Sequence, residues 1–210
     1  LILDDDAWPD PVSLDRAMRH LAADDSIGAV TFHRRHPRTG EAEWPFERVR
    51  QPRRAWPDMG CANLVRRSVW TRVGGYESGY FLYRNDTDLA LSILGAGFDI
   101  LYDPTIQAWH DSPIAKRKTA RWLRLSTRNW VWMCRRHGVG PTRWRAILMG
   151  WAWAHRLAGL SPARQCSALR GALDGLTTRA PALPIETDGS ALRRLIHLKR
   201  RLRDGVGEVE

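Results

Sequence analysis

The 210-residue sequence contains few cysteines and no long hydrophobic segment. Its three cysteines, Cys61, Cys134 and Cys166, are far apart, and none forms a CxxC pair. This pattern argues against a disulfide-stabilised scaffold and against a zinc knuckle. The longest nearly uncharged apolar run, Ala146 to Ala154, has about nine residues, whereas about 20 are needed to cross a bilayer. A membrane-spanning helix is therefore not expected.

The sequence also lacks an initial methionine and a basic leader. It begins with Leu1-Ile2-Leu3 and continues directly into three aspartates. A secretory signal peptide would need a longer apolar core and a basic flank. We interpret the beginning as the end of a buried strand, and we expect the natural protein to have further strands before Leu1.

The charge is unevenly distributed. The chain has 33 basic and 23 acidic residues, a formal net charge of +10. The surplus lies entirely after residue 110, where the net formal charge is +13, while the first 110 residues have a net charge of −3. Six of the 11 tryptophans lie between Trp122 and Trp153. Such a basic segment attracts anionic lipid, nucleic acid or phosphate-bearing ligands.

The hydrophobic pattern predicts two architectures. Strand-like and helix-like segments alternate up to residue 110, which predicts an α/β protein with a parallel or mixed sheet. Expected strands are Leu1–Leu3, Ile27–Phe32, Cys61–Val65, Phe98–Tyr102 and Thr105–His110, and expected helices are Val12–Ala23, Ser68–Val73 and Asp86–Leu94. Residues 33–58 have no clear period and are expected to form a loop.

The remaining chain has helical spacing. Expected helices are Lys116–Arg136, Trp144–Leu160, Ala163–Leu176 and Ala191–Arg203, with a turn at Gly138–Pro141. We predict a catalytic portion over residues 1–112, an amphipathic helical extension over 113–176, and a linker with a short basic helix over 177–210.

Four short segments could carry chemistry. Asp4, Asp5 and Asp6 end the first strand, where Asp4 and Asp6 could share a divalent ion, or the segment could be a polar loop with a helix cap. Asp86 and Asp88 open a helix, where a carboxylate can act as a general base or merely stabilise the helix end.

Two further positions complete the set. His110 follows the last strand and could join the aspartates in binding a metal, although a lone histidine is commonly structural. Asn63 lies in the Gly60–Arg67 segment, which could approach a ligand or form only a tight strand–helix turn.

The order of these segments resembles glycosyltransferase family 2, whose members are inverting, nucleotide-sugar-dependent enzymes with the GT-A fold. The resemblance covers residues 1 to about 136 and is closest to the bacterial rhamnosyltransferase and galactofuranosyltransferase branch. The matching motifs are Asp-Asp-Asp-Ala at 4–7, Gly-x-x-Asn-Leu-x-x-Arg at 60–67, Val-Gly-Gly-Tyr at 73–76, Tyr-Phe-Leu-Tyr-x-Asn-Asp-x-Asp-Leu-x-Leu at 80–91, Asp-Pro at 103–104 and Trp-His at 109–110.

The resemblance implies roles for individual residues. The segment Asp4–Asp6 corresponds to the DxD-type motif that contacts the nucleotide and the metal. Asp4, Asp6 and His110 would hold Mg²⁺ or Mn²⁺. Asp86 would be the catalytic base. The acceptor side would be lined by Asp88, Trp109 and Asn63.

The sequence departs from the family pattern in two ways. Asn85 replaces the first acidic residue of the usual pair, and Ser92 replaces an arginine that often follows. The family's first strands, which hold the nucleotide base, are absent from this sequence. The residues at positions 85 and 92 leave the expected base, Asp86, in place, but both alter the expected acceptor contacts.

The resemblance also implies partners and a location. The donor would be a nucleotide sugar, and the acceptor a glycan or a lipid-linked sugar of bacterial cell-wall or surface-polysaccharide synthesis. Independently of the resemblance, the interleaved basic residues and tryptophans of residues 113–160 predict attachment to an anionic membrane at the cytoplasmic face, unless the tryptophans merely pack on the sheet. Two alternatives stay open: an inactive GT-A-like interaction module, and a basic nucleic-acid-binding protein, although no nucleic-acid-binding motif is present.

Overall fold

The computed structural model describes residues 1–43, 49–54, 56, 59–111 and 119–203, with the backbone only for 201–203. The five strands are β1 (Ile2–Leu3), β2 (Ala7–Pro9), β3 (Ile27–Arg35), β4 (Ala62–Val65) and β5 (Asp99–His110). The seven α-helices of the described chain are α1 (Pro11–Ala23), α2 (Arg67–Val73), α3 (Asn85–Gly95), α4 (Ala120–His137), α5 (Gly140–Ala158), α6 (Pro162–Thr177) and α7 (Ser190–Arg203). A 3₁₀ turn covers Ser78–Tyr80.

Local signals explain where several helices begin and end. The Asp10 carboxylate accepts a hydrogen bond from the Ser13 backbone N–H, which caps α1, and Pro11 occupies its first position. The Thr119 hydroxyl caps α4 through the Trp122 backbone N–H. Gly74 ends α2 with a φ of 80°, a conformation that favours glycine.

The strands form one mixed sheet in the order β1-β4-β3-β5-β2. β3 and β5 are parallel, and the other neighbouring pairs are antiparallel. A mixed sheet flanked by helices and followed by a helical extension confirms the predicted fold class. β1 and β2 lie at opposite ends of this order, so the three aspartates between them cross from one edge of the sheet to the other.

The sheet differs from the prediction in two places. β5 is one continuous strand where two were expected, and its register against β3 shifts so that Phe32 pairs with Asp103 but His33 pairs with Gln107. β2 was not predicted, because three residues are too few to show an alternating pattern. β2 matters for the site, since Ala7 pairs with His110.

The helical extension packs against the sheet portion through α3. One hydrophobic cluster joins Tyr80 and Leu91 to Trp130 of α4 and to Leu195 of α7. Leu198 of α7 reaches the core beside the sheet. The predicted boundary between residues 112 and 113 falls in segment 112–118, which lies outside the described residues, as does the basic run Lys116–Lys118.

Glycines let α4 and α6 approach closely. A Cβ atom at Gly171 would lie 2.3 Å from the backbone oxygen of Arg124, and one at Gly175 would lie 2.9 Å from that of Arg128. Only residues without a side chain fit at such distances. The backbones of α4 and α6 therefore pack in direct contact at these two positions.

The tryptophans of the extension divide into two groups. Trp130 and Trp132 are buried, and the Trp130 indole donates a hydrogen bond of 2.8 Å to the Ala146 carbonyl oxygen. Trp144 and Trp153 are exposed. Within the described residues, no helix combines the length and the hydropathy that a membrane span requires.

Candidate active site

Two carboxylates and one imidazole meet at the edge where β2 pairs with the end of β5. Potential ligand atoms of Asp4, Asp6 and His110 all lie within 4.8 Å of one another. His110 Nε2 is 3.1 Å from Asp6 Oδ1. Backbone hydrogen bonds fix the segment, since Asp4 N–H donates to the Cys61 carbonyl oxygen at 3.0 Å. The structure thus brings together the three predicted metal ligands, although His110 lies over 100 residues after the two aspartates in sequence.

Glu43 holds the His110 ring from the other side. Its Oε1 atom is 2.5 Å from His110 Nδ1, and its Oε2 atom accepts a hydrogen bond of 3.0 Å from Arg34 Nε. A metal-binding histidine commonly donates its second N–H to a carboxylate in this way, which leaves the other nitrogen available to the metal. Glu43 therefore orients His110 Nε2 towards Asp6.

The pKa values at this cluster reflect the same contacts. Hydrogen bonds with Cys61 and Glu43 raise the pKa of His110 to about 10. Burial alone would raise the pKa of Glu43, but the His110 hydrogen bond and the Arg34 charge lower it overall. Burial raises the pKa of Asp4, an effect that the His110 charge partly opposes.

The donor set fits a hard divalent cation. Carboxylate oxygens suit Mg²⁺ and Mn²⁺, and Mn²⁺ also accepts imidazole nitrogen. Asp5, which belongs to the motif expected to contact the nucleotide, is exposed and is not part of the three-residue cluster.

Asp86 is the second residue of α3. The Tyr76 hydroxyl donates a hydrogen bond of 2.8 Å to Asp86 Oδ1. The pKa of Tyr76 is raised mainly by burial and by the Asp86 charge, and also by the Asp4 charge. Tyr76 thus interacts with Asp86 directly and with Asp4 through charge, and Asp86 is half-buried.

The turn before Asp86 has an unusual backbone. Phe81, Tyr83 and Arg84 have φ values of 63°, 69° and 70°, in the region that favours glycine. The Asn129 side-chain amide nitrogen of α4 lies 3.1, 2.7 and 2.8 Å from the carbonyl oxygens of Tyr80, Leu82 and Tyr83, respectively. Non-glycine residues at positive φ cost on the order of 1–3 kcal/mol each, and such strain concentrates at functional sites.

Asp88 lies elsewhere, although it is only two positions from Asp86. It is 2% exposed, and its Oδ1 atom accepts a hydrogen bond of 2.7 Å from the Tyr80 hydroxyl. The same oxygen is 2.9 Å from His137 Nε2 and 3.1 Å from Arg136 Nε. These partners come from α4 and the 3₁₀ turn, so this placement does not support contact of Asp88 with an acceptor.

The other two acceptor candidates are also held within the sheet. Asn63 is fully buried in β4, and its amide nitrogen donates to the Gly60 carbonyl oxygen. Trp109 is half-buried and pairs with Trp8 across the β2–β5 ladder. Because successive strand residues point to opposite faces, the Trp109 side chain lies on the face opposite to that of His110.

Sequence reasoning missed Glu43, Tyr76 and Asn129. Glu43 is placed by a hairpin, because its backbone N–H donates to the Arg34 carbonyl oxygen at 3.0 Å. The turn-forming residues Pro37 and Gly40 are the signal that could have revealed this hairpin.

Comparisons with known proteins agree with the motif resemblance. No protein-family model matches the chain. A segment of 72 residues, 32% of this chain, is 39% identical to the rhamnosyltransferase WbbL of Escherichia coli K12 and covers 27% of that protein. A segment of 55 residues, 26% of this chain, is 38% identical to the N-acetylglucosaminyl-diphospho-decaprenol L-rhamnosyltransferase of Mycobacterium tuberculosis and covers 18% of it. The chain thus matches less than a third of the length of either relative.

This chain is also similar to a solved structure. The mannosyltransferase PcManGT from Pyrobaculum calidifontis, in complex with GDP-Man and Mn²⁺, has 23% sequence identity to this chain and a TM-score of 0.46, covering 97% of this chain and 56% of that one. The two rhamnosyltransferase matches confirm the predicted resemblance to glycosyltransferase family 2.

Proposed function

We propose that this protein is an inverting glycosyltransferase that moves a sugar from a nucleoside-diphosphate sugar to a hydroxyl group of a lipid-linked or glycan acceptor. The observation that carries the proposal is the convergence of Asp4, Asp6 and His110 on one potential metal site. Asp86 is linked to this site through Tyr76, which donates a hydrogen bond to Asp86 and whose pKa is also raised by the Asp4 charge. Both relatives are named as rhamnosyltransferases, and the name of the Mycobacterium tuberculosis protein includes a diphosphate-linked decaprenol acceptor. These names support rhamnosyl transfer to a diphosphate-linked lipid, and we place this reaction in bacterial cell-wall or surface-polysaccharide synthesis. The catalytic portion would be residues 1–112, with 113–176 and 177–210 as the helical extension and its basic end.

Asp4, Asp6 and His110 would hold Mg²⁺ or Mn²⁺. Such an ion, when bound, offsets the negative charge that develops on the nucleoside diphosphate as it leaves. The contribution of Glu43 is to fix the ring of His110 and keep Nδ1 protonated, so that Nε2 faces the two aspartates.

Asp86 would act as the general base. Its Oδ1 atom accepts a hydrogen bond from the Tyr76 hydroxyl, which orients the carboxylate that would take the proton from the acceptor hydroxyl. The oxygen of that hydroxyl attacks the anomeric carbon on the face opposite to the leaving diphosphate, so one displacement inverts the configuration. A positioned base of this kind contributes about 10²–10⁴-fold to the rate.

The helical extension would attach the protein to the cytoplasmic face of the plasma membrane. α5 exposes Trp144, Leu148 and Trp151, and α6 exposes an equivalent stripe of three leucines, Leu169, Leu173 and Leu176. Spacings of three and four residues place each set on one helix face. Exposed tryptophan and leucine in a segment with a net charge of +13 suit an anionic membrane surface.

A transfer assay tests the enzymatic proposal. The protein is incubated with Mn²⁺, a panel of nucleoside-diphosphate sugars and an N-acetylglucosaminyl diphosphate carried on a short prenyl chain, and the anomeric configuration of the product is read by NMR. We expect transfer with inversion that is abolished by EDTA. A product of retained configuration would contradict the mechanism. A protein whose melting temperature responds to neither Mn²⁺ nor nucleoside diphosphates would favour the inactive interaction module.

Liposome flotation tests the attachment. We expect the protein to float with anionic vesicles and a Trp144→Ser, Leu148→Ser, Trp151→Ser variant to remain in solution. Equal failure of the unaltered protein to float with anionic and neutral vesicles would contradict a membrane surface as its partner.

A further inference from the structure

A second, strongly basic cavity lies apart from the metal cluster, between α4 and α6. It has a volume of about 470 Å³. Four arginines line it, three on α4 and one on α6: Arg121, Arg124, Arg128 and Arg170. Asp174 is the one acidic residue among the described lining residues, and its Oδ2 atom is 2.8 Å from Arg124 Nε. The described residues that line this Arg cleft therefore have a net formal charge of +3.

The fold holds these charges together. Arg128 Nη2 donates to the Tyr80 carbonyl oxygen at 3.0 Å, and its guanidinium carbon lies 4.3 Å from the centre of the Trp132 ring. Burial lowers the pKa of Arg128, an effect that the Asp174 carboxylate partly opposes. The close approach of α4 and α6 at Gly171 and Gly175 fixes the width of the cleft. An anion bound here would offset the repulsion among these arginines.

Two of the guanidinium groups are available to a ligand. Within the described residues, neither Arg121 nor Arg170 has an ion pair, and the Arg121 guanidinium carbon lies 5.8 Å from the centre of the Phe81 ring. A planar guanidinium group matches phosphate oxygens with two parallel hydrogen bonds, so arginine suits phosphate recognition better than lysine does. Several such groups around one cleft favour a ligand with more than one phosphate.

The Arg cleft is continuous with the turn that leads to Asp86. Phe81, which is 66% exposed, lines the cleft and begins this turn. On the other side, the exposed leucines of α6, Leu169 and Leu173, flank Arg170 in sequence. A phosphate bound in the cleft would therefore contact the start of the turn that leads to Asp86 and the α6 segment that carries these leucines.

We propose that the Arg cleft binds the diphosphate of a lipid-linked acceptor sugar, with the lipid towards α6 and the sugar towards Asp86. This inference rests on the proposed function and adds a separate diphosphate site, distinct from the metal cluster that would meet the donor diphosphate. The Phe81 ring and the Leu125 side chain supply apolar contacts beside the phosphates.

A binding experiment without turnover tests the cleft independently of transfer. Binding of a short-chain prenyl diphosphate is measured by calorimetry in EDTA, which removes metal from the first cluster. We expect an Arg121→Gln, Arg170→Gln variant to bind at least tenfold more weakly than the unaltered protein. The matched control, Arg19→Gln with Arg67→Gln, removes the same charge from exposed positions on α1 and α2 and should change binding less than twofold. Equal binding by the cleft variant and the unaltered protein would overturn the proposal.

Kinetics separate failure of the cleft from failure of the proposed function. With the diphosphate-linked acceptor, the cleft variant should have a KM raised at least tenfold and an unchanged kcat. With an alkyl glycoside acceptor that lacks phosphate, its KM should equal that of the unaltered protein. An equal rise in KM for both acceptors would overturn diphosphate recognition. Absence of transfer by the unaltered protein would refute the proposed function, whereas the calorimetric comparison would still decide the cleft.

Discussion

The side-chain amide nitrogen of Asn129 lies 2.7 Å from the carbonyl oxygen of Leu82 and thereby joins α4 to the turn that precedes the candidate base. The turn contains three residues at positive φ, a conformation that its own side chains disfavour. Hydrogen bonds from Asn129 and the bond from Arg84 Nε to the Ser126 hydroxyl, 3.1 Å, offset part of this cost. The helical extension therefore shapes the catalytic portion.

Replacement of Asn129 should impair catalysis more than it impairs metal binding. Asn129→Ala leaves carbonyl groups of the turn without a donor, so we expect kcat to fall at least tenfold and the free energy of unfolding to fall by about 1–3 kcal/mol. Urea unfolding and kcat at saturating substrates measure both effects. Thr127→Val, an isosteric change at a buried position of α4, is the control. A stability loss without any change in kcat would show that the bond is structural only.

Asp86→Asn should abolish transfer without preventing donor binding. The amide cannot accept the acceptor's proton, so we expect kcat to fall by about 10²–10⁴-fold. Affinity for Mn²⁺ and the nucleotide sugar should change less than twofold in calorimetry. Asp15→Asn, at an exposed position of α1, should leave kcat unchanged. Transfer by Asp86→Asn at the rate of the unaltered protein would refute its role as base.

Asp88→Asn should lower the free energy of unfolding. Removing this charge leaves Arg136, whose side chain is 4% exposed, without its closest acidic partner. Breaking a buried ion pair in this way costs about 3–5 kcal/mol. We expect this loss in urea unfolding, with an unchanged acceptor KM for the folded protein. A raised acceptor KM at unchanged stability would instead support the acceptor contact that the family resemblance implies for Asp88.

Glu43→Gln should weaken metal binding. The loss of a charged partner on His110 Nδ1 removes the carboxylate that orients the ring, and such changes typically cost 10–100-fold in metal affinity. Calorimetric titration with Mn²⁺ measures the effect. Glu41→Gln, at an exposed position of the same hairpin, is the control. An identical Mn²⁺ affinity in both variants would contradict the orienting role of Glu43.

Protonation of His33 in the unfolded chain should lower the free energy of unfolding in mild acid. Burial and the charges of Arg35 and Arg34 lower the pKa of His33 from 6.5 to about 4. Between these values the unfolded chain binds a proton that the folded protein does not bind. The free energy of unfolding therefore decreases as the pH falls through this window, by up to about 1.4 kcal/mol per pH unit.

His33→Gln isolates this contribution. The difference in free energy of unfolding between the variant and the unaltered protein should be constant above pH 7 and change steadily between pH 6.5 and 4. A difference that stays constant over the whole range would contradict the lowered pKa.

Periodic elements could be predicted closely from the sequence. The predicted helix Val12–Ala23 begins one residue after the observed α1, and the predicted helix Ala163–Leu176 lies within α6. The error at α5 has a physical reason: Pro141 was interpreted as part of a turn, but proline is compatible with the first turn of a helix. α5 therefore begins at Gly140.

The candidate site was predictable only where local sequence determines it. Asp4, Asp5 and Asp6 follow a short strand, and Asp86 lies in the first turn of a helix, so these candidates could be identified from the sequence alone. Residues two positions apart on a helix do not share a face, which explains why Asp88 turns towards α4 while Asp86 does not. Glu43 lies in a segment without periodicity, and its contact with His110 depends on how distant parts of the chain pack.

The pairing of Ala7 with His110 also determines the order in which the protein can assemble. This contact closes a loop of about 100 residues, whereas α4, α5 and α6 contact neighbours close in sequence. Contacts between distant residues form more slowly, because the entropy of loop closure is lost before the contact is gained. During refolding, the helical hairpins should acquire structure first and the cluster of Asp4, Asp6 and His110 last. Metal affinity would then report on the completion of folding.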